Sequence, residues 1–189
     1  MSTIQANLIE PSSGTTVTLG ASGDTVTIPS GATIDASAGT ATGFGGTPAF
    51  SAYSTGNQAV TGGVWTKASL QAEIIDTDSA FDSTTNYRFT VPSGEAGNYV
   101  LSGSISGYDS GSTLVSTSVK IYKNGSEITG SQTYFQLPAS SVYMLAATTI
   151  VIALSAADYI ELYGALTTTT GTLYFHNAGC ILSGFKLGS

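Results

Sequence analysis

The segment YRFTVPSGEAGNYVLSGSISGY, residues 87 to 108, carries two runs of aromatic and β-branched residues on either side of Pro92, Ser93 and Gly94. Short runs of that kind, bounded by Pro, Gly and Ser, read as two strands joined by a turn. The same pattern extends in both directions: AFSAYS at 49–54, then TLVSTSVKIYKNG at 113–125, TTIVIALSAADYIELYGAL at 148–166 and CILSGFKLG at 180–188. Asn124-Gly125 signals a type I′ hairpin, whose two central positions both need positive φ. SAADYIEL reads as a loop closing between two strands, with Asp158 at the turn. No window sustains an apolar repeat of 3.6 residues, and 23 glycines recur too often for long helices. The expected fold is all-β, with strands at the spacing of a sandwich or jelly roll.

VYMLAATTIVIAL at 142–154 is the most membrane-like run, but Thr148 and Thr149 break it. It also falls short of the roughly 20 residues a membrane-spanning helix needs, so it reads as a buried strand and no membrane insertion is expected. The N-terminus MSTIQANLIEPSS has neither the cationic region nor the apolar run of a secretory signal, so synthesis in a cytoplasm without export by that route is expected.

Only 9% of the 189 residues are charged, against about 25% in an ordinary globular protein. Hydroxyls and backbone must therefore solvate this surface. A net charge of −7 with five scattered cations leaves no clustered Lys and Arg to release counterions, which excludes electrostatic binding to nucleic acid.

The chain changes character near GFGGTPAF, residues 43–50. Before it, aromatics are absent until Phe44, and TVTL at 16–19, TVTI at 25–28 and GATI at 31–34 resemble one another. These short units, joined by Gly, Ser, Asp or Pro, suit brief strands and tight turns. They offer too little apolar area to offset backbone ordering at roughly 1–2 kcal/mol per residue. The segment is expected to be disordered alone or ordered by other chains. Residues 1–47 therefore form an expected extended β stem, and 48–189 a head. A head of about 140 residues can bury roughly 68–70% of its unfolded surface, enough to fold cooperatively.

Catalytic chemistry finds few residues to work with. His176, in LYFHNAG, is the only histidine and reads as a surface or loop residue. Cys180 is the only cysteine, so no internal disulfide forms, and its apolar flanks AGCILSGF read as buried strand with an inert thiol. One His and one Cys assemble neither a common zinc site nor a Cys-His dyad. Asp76, Asp78 and Asp82 in DTDSAFDS are calcium candidates by their close oxygen spacing, although the loop lacks the central Gly and closing Glu of an EF-hand. Solvated loop acids are the plainer reading. Nothing places two of the twelve acids in a facing cleft for glycoside cleavage. No catalytic residue and no other cofactor is expected. Trp65 and the ten tyrosines read mainly as core or trimer-axis residues, with sugar stacking or a protein interface as the other use.

The order of segments from Ala49 to Leu187 resembles the globular head of complement component one q, within the wider tumour-necrosis-factor-like jelly rolls. AFSAY matches the first strand, and FDSTTNYRFTVPSGEAGNYVLSGSI at 81–105 resembles the family's Phe/Tyr-Asp, Phe-Thr, Pro-Gly and Tyr signature. KIYKNGSEI at 120–128 resembles the hairpin with Lys-Asn-Gly, IVIALSAADYIEL at 150–162 the strand pair around Gly-Asp, and ILSGFKL at 181–187 the closing strand. Ala157 stands where the family usually has Gly, and Ile181-Leu182 where it has an aromatic; both changes read as conservative for packing. The resemblance implies a homotrimeric head whose aromatic and apolar residues meet on the threefold axis and whose outer loops bind ligands. The family's collagenous Gly-X-Y stem is missing from this sequence.

The lead-in GDTVTIPSGATIDASAGTATGFGG instead resembles the N-terminal stems of fibre and appendage proteins of tailed bacteriophages. Together the two resemblances imply a non-enzymatic virion protein of the capsid or tail surface, made in the host cytoplasm. Its stem would join other virion proteins, and its trimeric head would bind a host surface glycan or protein by avidity. The alternatives are a capsid or tail decoration with no receptor role, and an enzyme degrading envelope polysaccharide.

Overall fold

In a computed structural model, the described residues are 25–27, 30–32, 47–177 and 179–187, those at 137–140 by backbone alone. The chain divides into two units, Met1–Gly45 and Gly46–Ser189. Of the expected stem, Thr25–Thr27 carry no strand pairing and Val26 is exposed, while the repeat at 16–19 lies outside the described residues.

The second unit contains fourteen strands and, among the described residues, no helix. They are β1 (Ala49–Tyr53), β2 (Gln58–Val60), β3 (Thr66–Lys67), β4 (Ala72–Asp76), β5 (Phe81–Asp82), β6 (Arg88–Thr90) and β7 (Gly97–Asp109). The remainder are β8 (Leu114–Lys123), β9 (Ser126–Glu127), β10 (Thr133–Ser141), β11 (Tyr143–Leu154), β12 (Tyr159–Thr168), β13 (Leu173–Phe175) and β14 (Ile181–Lys186). The opening segment forms β6, a turn and β7, with Gly94 at φ +83° and the Glu95 N–H donating to the Pro92 carbonyl at 3.2 Å. Only glycine takes that φ without cost.

Two antiparallel sheets result. The first runs β2-β13-β7-β14-β1-β4, with β11 along the other edge of β7; the second runs β10-β8-β12-β6-β5, with β3 on β12 and β9 on β8. Alternation places one side chain in two between the sheets. Phe50, Phe89 and Tyr99 from three different strands meet there, the two phenylalanine rings stacked at 4.2 Å between centroids, with Leu101, Ile121, Leu162 and Leu182 around them.

The β8–β9 hairpin turns at Asn124 (φ +52°) and Gly125 (φ +76°), both in the left-handed region as the Asn-Gly signal requires. The Asn124 side chain then ties this hairpin to the next turn: its Nδ2 donates to Asp158 Oδ1 at 2.7 Å, and its Oδ1 accepts from the Tyr159 N–H.

Two expectations need correction. The run 142–154 is not wholly buried: β11 is an edge strand whose outward residues Tyr143, Leu145 and Val151 are 55%, 55% and 64% exposed. Its apolar residues occupy both faces of the strand, and the sandwich covers only one. Ala157 is not a change of packing alone, because it sits at φ +69°, where a Cβ crowds the backbone. Ala157→Gly is therefore expected to stabilise the head by about 0.5–1 kcal/mol, the relief of left-handed strain exceeding the extra freedom glycine gains on unfolding. Urea unfolding would show a raised midpoint at unchanged slope; a lowered midpoint would contradict the strain argument.

Candidate interaction surface

The outward face of the first sheet is built from five strands in register. Tyr143, Tyr108 and Tyr174 form one row, and Ala147, Ser104, Ile181 and Tyr53 another. Thr149, Ser102, Ser183 and Ser51 follow, then Val151, Val100, Phe185 and Ala49. None of these residues is Asp, Glu, Lys or Arg. The Ser51 and Ser183 hydroxyls bond each other at 2.8 Å, so the small central residues satisfy themselves and leave a low, uncharged floor. Tyr108 stacks on Tyr143 at 5.0 Å, and His176, just past β13, sets its ring edge against Tyr143 at 4.9 Å.

Several of the exposed large apolar residues gather here. Phe185, Leu145 and Val151 lie on this face, Ile74 and Ile75 on its β4 edge, and Val142 in the link that enters β11; Phe135 lies on β10 of the second sheet, and Tyr134, opposite Ser118, on that sheet's outward face. Burying one such side chain is worth about 1.5–3 kcal/mol. A contiguous uncharged patch with tyrosines at its edge has the composition of the core of a protein–protein interface.

The outward face of the second sheet differs in kind. Trp65, Lys67, Arg88, Lys120, Tyr122, Tyr159, Glu161 and Tyr163 interleave there, and none of its outward residues is an exposed large aliphatic. Lys67 Nζ pairs with Glu161 at 3.0 Å, Lys120 sits over the Trp65 ring at 4.4 Å and pairs with Glu127, Tyr122 stacks on Tyr163 at 3.9 Å, and Arg88 lies over Tyr159 at 4.2 Å.

The tyrosines are divided among the core and the two outward faces. Tyr99 is the one fully buried tyrosine among the described residues, while Trp65 and four tyrosines face outward on the second sheet. Strand alternation decides this, and the facing of a half-apolar strand is not written in any single residue.

Asp76, Asp78 and Asp82 serve their own turns. Asp76 Oδ2 accepts the Phe81 N–H at 2.8 Å, and Asp78 Oδ2 the Thr77 hydroxyl. Asp82 accepts from the backbone N–H groups of Thr85, Thr84 and Asn86 and from the Asn86 amide; the bonds from Thr85 and Thr84 are foremost in holding its carboxyl well below the usual range. Among the described residues, no three His, Cys, Asp or Glu side chains are placed to hold a metal ion. Cys180 is buried, and its thiol is pushed up to about 11 by that burial, against a weak bond to the Ser106 carbonyl.

Asp109 escaped the sequence reading altogether. Fully buried at the end of β7, it accepts from the Gly111 N–H at 3.1 Å, the Thr113 N–H at 2.8 Å and the Thr168 hydroxyl at 2.7 Å. It locks the β7–β8 loop to the end of β12. The Asp-Ser-Gly-Ser-Thr run at 109–113 was the available signal, since Asp commonly bonds backbone two residues on.

The fold is that of the tumour-necrosis-factor jelly rolls. Murine APRIL at pH 5.0 aligns with a TM-score of 0.55 at 14% identity, covering 75% of this chain and 100% of its own. Eiger TNF from S. frugiperda aligns with a TM-score of 0.55 at 13% identity, covering 76% of this chain and 94% of its own. The globular domain of zebrafish complement 1qA aligns at 16% identity over 75% of this chain and 98% of its own, with a TM-score of 0.49. No protein-family model matches the chain, and no curated protein matches its sequence.

Proposed function

We propose that the chain is the subunit of a homotrimeric, non-enzymatic attachment protein of a phage particle, a short fibre or appendage. Residues 1–47 form its particle-binding stem, and residues 48–189 its head. The observation that carries the assembly is the outward face of the first sheet, where five paired strands present no Lys, Arg, Asp or Glu and expose Tyr143, Leu145, Val151 and Phe185. A monomer leaves that face wet. The exposed β10–β11 edge and the serine-floored face are different patches, so copies joining one to the other make a head-to-tail contact, the kind that forms a ring when its rotation closes. The jelly-roll likeness supports three copies, and the lead-in of residues 24–47 supports the phage role.

Function then follows from avidity. Three identical heads on one stem convert weak contacts to a host surface into firm attachment, with no new chemistry at any head. Two assays test this reading. A chain lacking residues 1–47 is expected to be left out of assembled particles, and normal incorporation would refute the stem's role. The full-length protein is expected to bind a host envelope fraction; binding to none would replace attachment with decoration.

A further inference from the structure

The outward face of the second sheet stays open when the first sheet's face is used for assembly, and it has the opposite character. Five aromatic rings, Trp65, Tyr122, Tyr134, Tyr159 and Tyr163, share it with groups that donate and accept hydrogen bonds. The charges balance: Lys67, Lys120 and Arg88 share the face with Glu161, Glu127 and Asp82. Most are already fixed. Glu161 is nearly buried and bonds Lys67 through Oε1, Lys120 bonds Glu127, and Asp82 is held by its own turn. Arg88 makes no ion pair among the described residues and lies over Tyr159, its planar fork free to donate.

We propose that this face binds an uncharged polysaccharide. Sugar rings present flat C–H faces, which stack on aromatic rings, and a rim of hydroxyls, which bond to fixed carboxylates and cations. A face with no net charge needs no counter-charge on its partner, and one whose strands turn no exposed aliphatic side chain outward offers little to an apolar protein surface. From Tyr159 to Tyr163 the platform runs about 13 Å along β12, long enough to seat a short run of sugars. No ligand-sized pocket forms among the described residues, so the platform suits the side of a polymer rather than the end of a small molecule. The proposal rests on the attachment reading above and names its receptor chemistry.

Trp65 is the only tryptophan, so emission excited selectively in tryptophan reports on this face alone. The full-length protein would be titrated with a glucan, a mannan and a galactan, each uncharged, and with polygalacturonate and poly-L-glutamate. Expected is a saturable change in Trp65 emission with at least one neutral polymer, unaltered by 0.5 M salt. Arg88→Gln and Tyr163→Ala are each expected to weaken it about tenfold, the loss of one strong contact. No response to any neutral polymer, equal binding by both variants, or a response to polygalacturonate or polyglutamate that salt abolishes would overturn the proposal. Light scattering on the same samples separates the two claims: trimeric mass without polymer binding removes the glycan face alone, whereas monomeric mass removes the assembly beneath it.

Discussion

Leu145→Asp yields a folded monomer. Leu145 projects from an edge strand and is 55% exposed in the single chain, so a carboxylate there stays in water and costs the fold little. In the assembly the same carboxylate loses its water against a face with no cation to meet it. The effective penalty is several kcal/mol per buried ion and is incurred at every copy of the interface, on the order of 10 kcal/mol for a ring of three. Sedimentation should give one-chain mass with an unchanged far-ultraviolet spectrum. A variant that remains assembled would place the interface elsewhere.

Asp109→Ala should be the most damaging single change inside the head. Asp109 is itself fully buried, and removing its carboxylate takes the acceptor from the Gly111 and Thr113 N–H groups and the Thr168 hydroxyl, in a partly buried place. Each neutral donor left without its acceptor costs about 1–3 kcal/mol, and the loss of the network a fall in melting temperature on the order of 10 °C for a head of this size. The neighbouring chain is shaped to this group: a Cβ on Gly171, at φ +100°, would lie 2.2 Å from Asp109 Oδ1. Burial by itself would raise the Asp109 pKa, but the bonds from Gly111, Thr168 and Thr113 outweigh it and hold the group below its ordinary value. A carboxyl lowered by folding adds stability in full above its unfolded pKa, near 4, and loses it as pH falls through the lower folded value. Asp158, lowered to about 2 chiefly by its bond to Lys123, acts in the same direction. The native head should thus weaken progressively below about pH 4, and Asp109→Ala should weaken less steeply over that range. A melting temperature within 2 °C of wild type would show that the network is dispensable.

Much of this architecture was legible because its signals are local. Gly94, Asn124 and Gly125 announce their turns through backbone conformations that few residues adopt cheaply, and the runs between such turns became β1, β7, β8, β12 and β14. What escaped depends on facing and on contacts distant in sequence. Leu145 and Met144 are adjacent and equally apolar, yet one is exposed and the other buried, because only the pairing of β11 on β7 sets which side meets the core. Trp65 and Lys120 stand 55 positions apart in the sequence and meet because β3 and β8 flank the same strand. Asp109 reads as an ordinary turn acid until Thr168, from the far end of β12, arrives beside it.

The assembly is the claim on which the functional reading stands, and the mass of the wild-type protein in solution tests it most directly. Light scattering on the full chain at micromolar concentration should give three times the 19.1 kDa of one chain. A mass of one chain, with the first sheet's uncharged face left open to water, would contradict it.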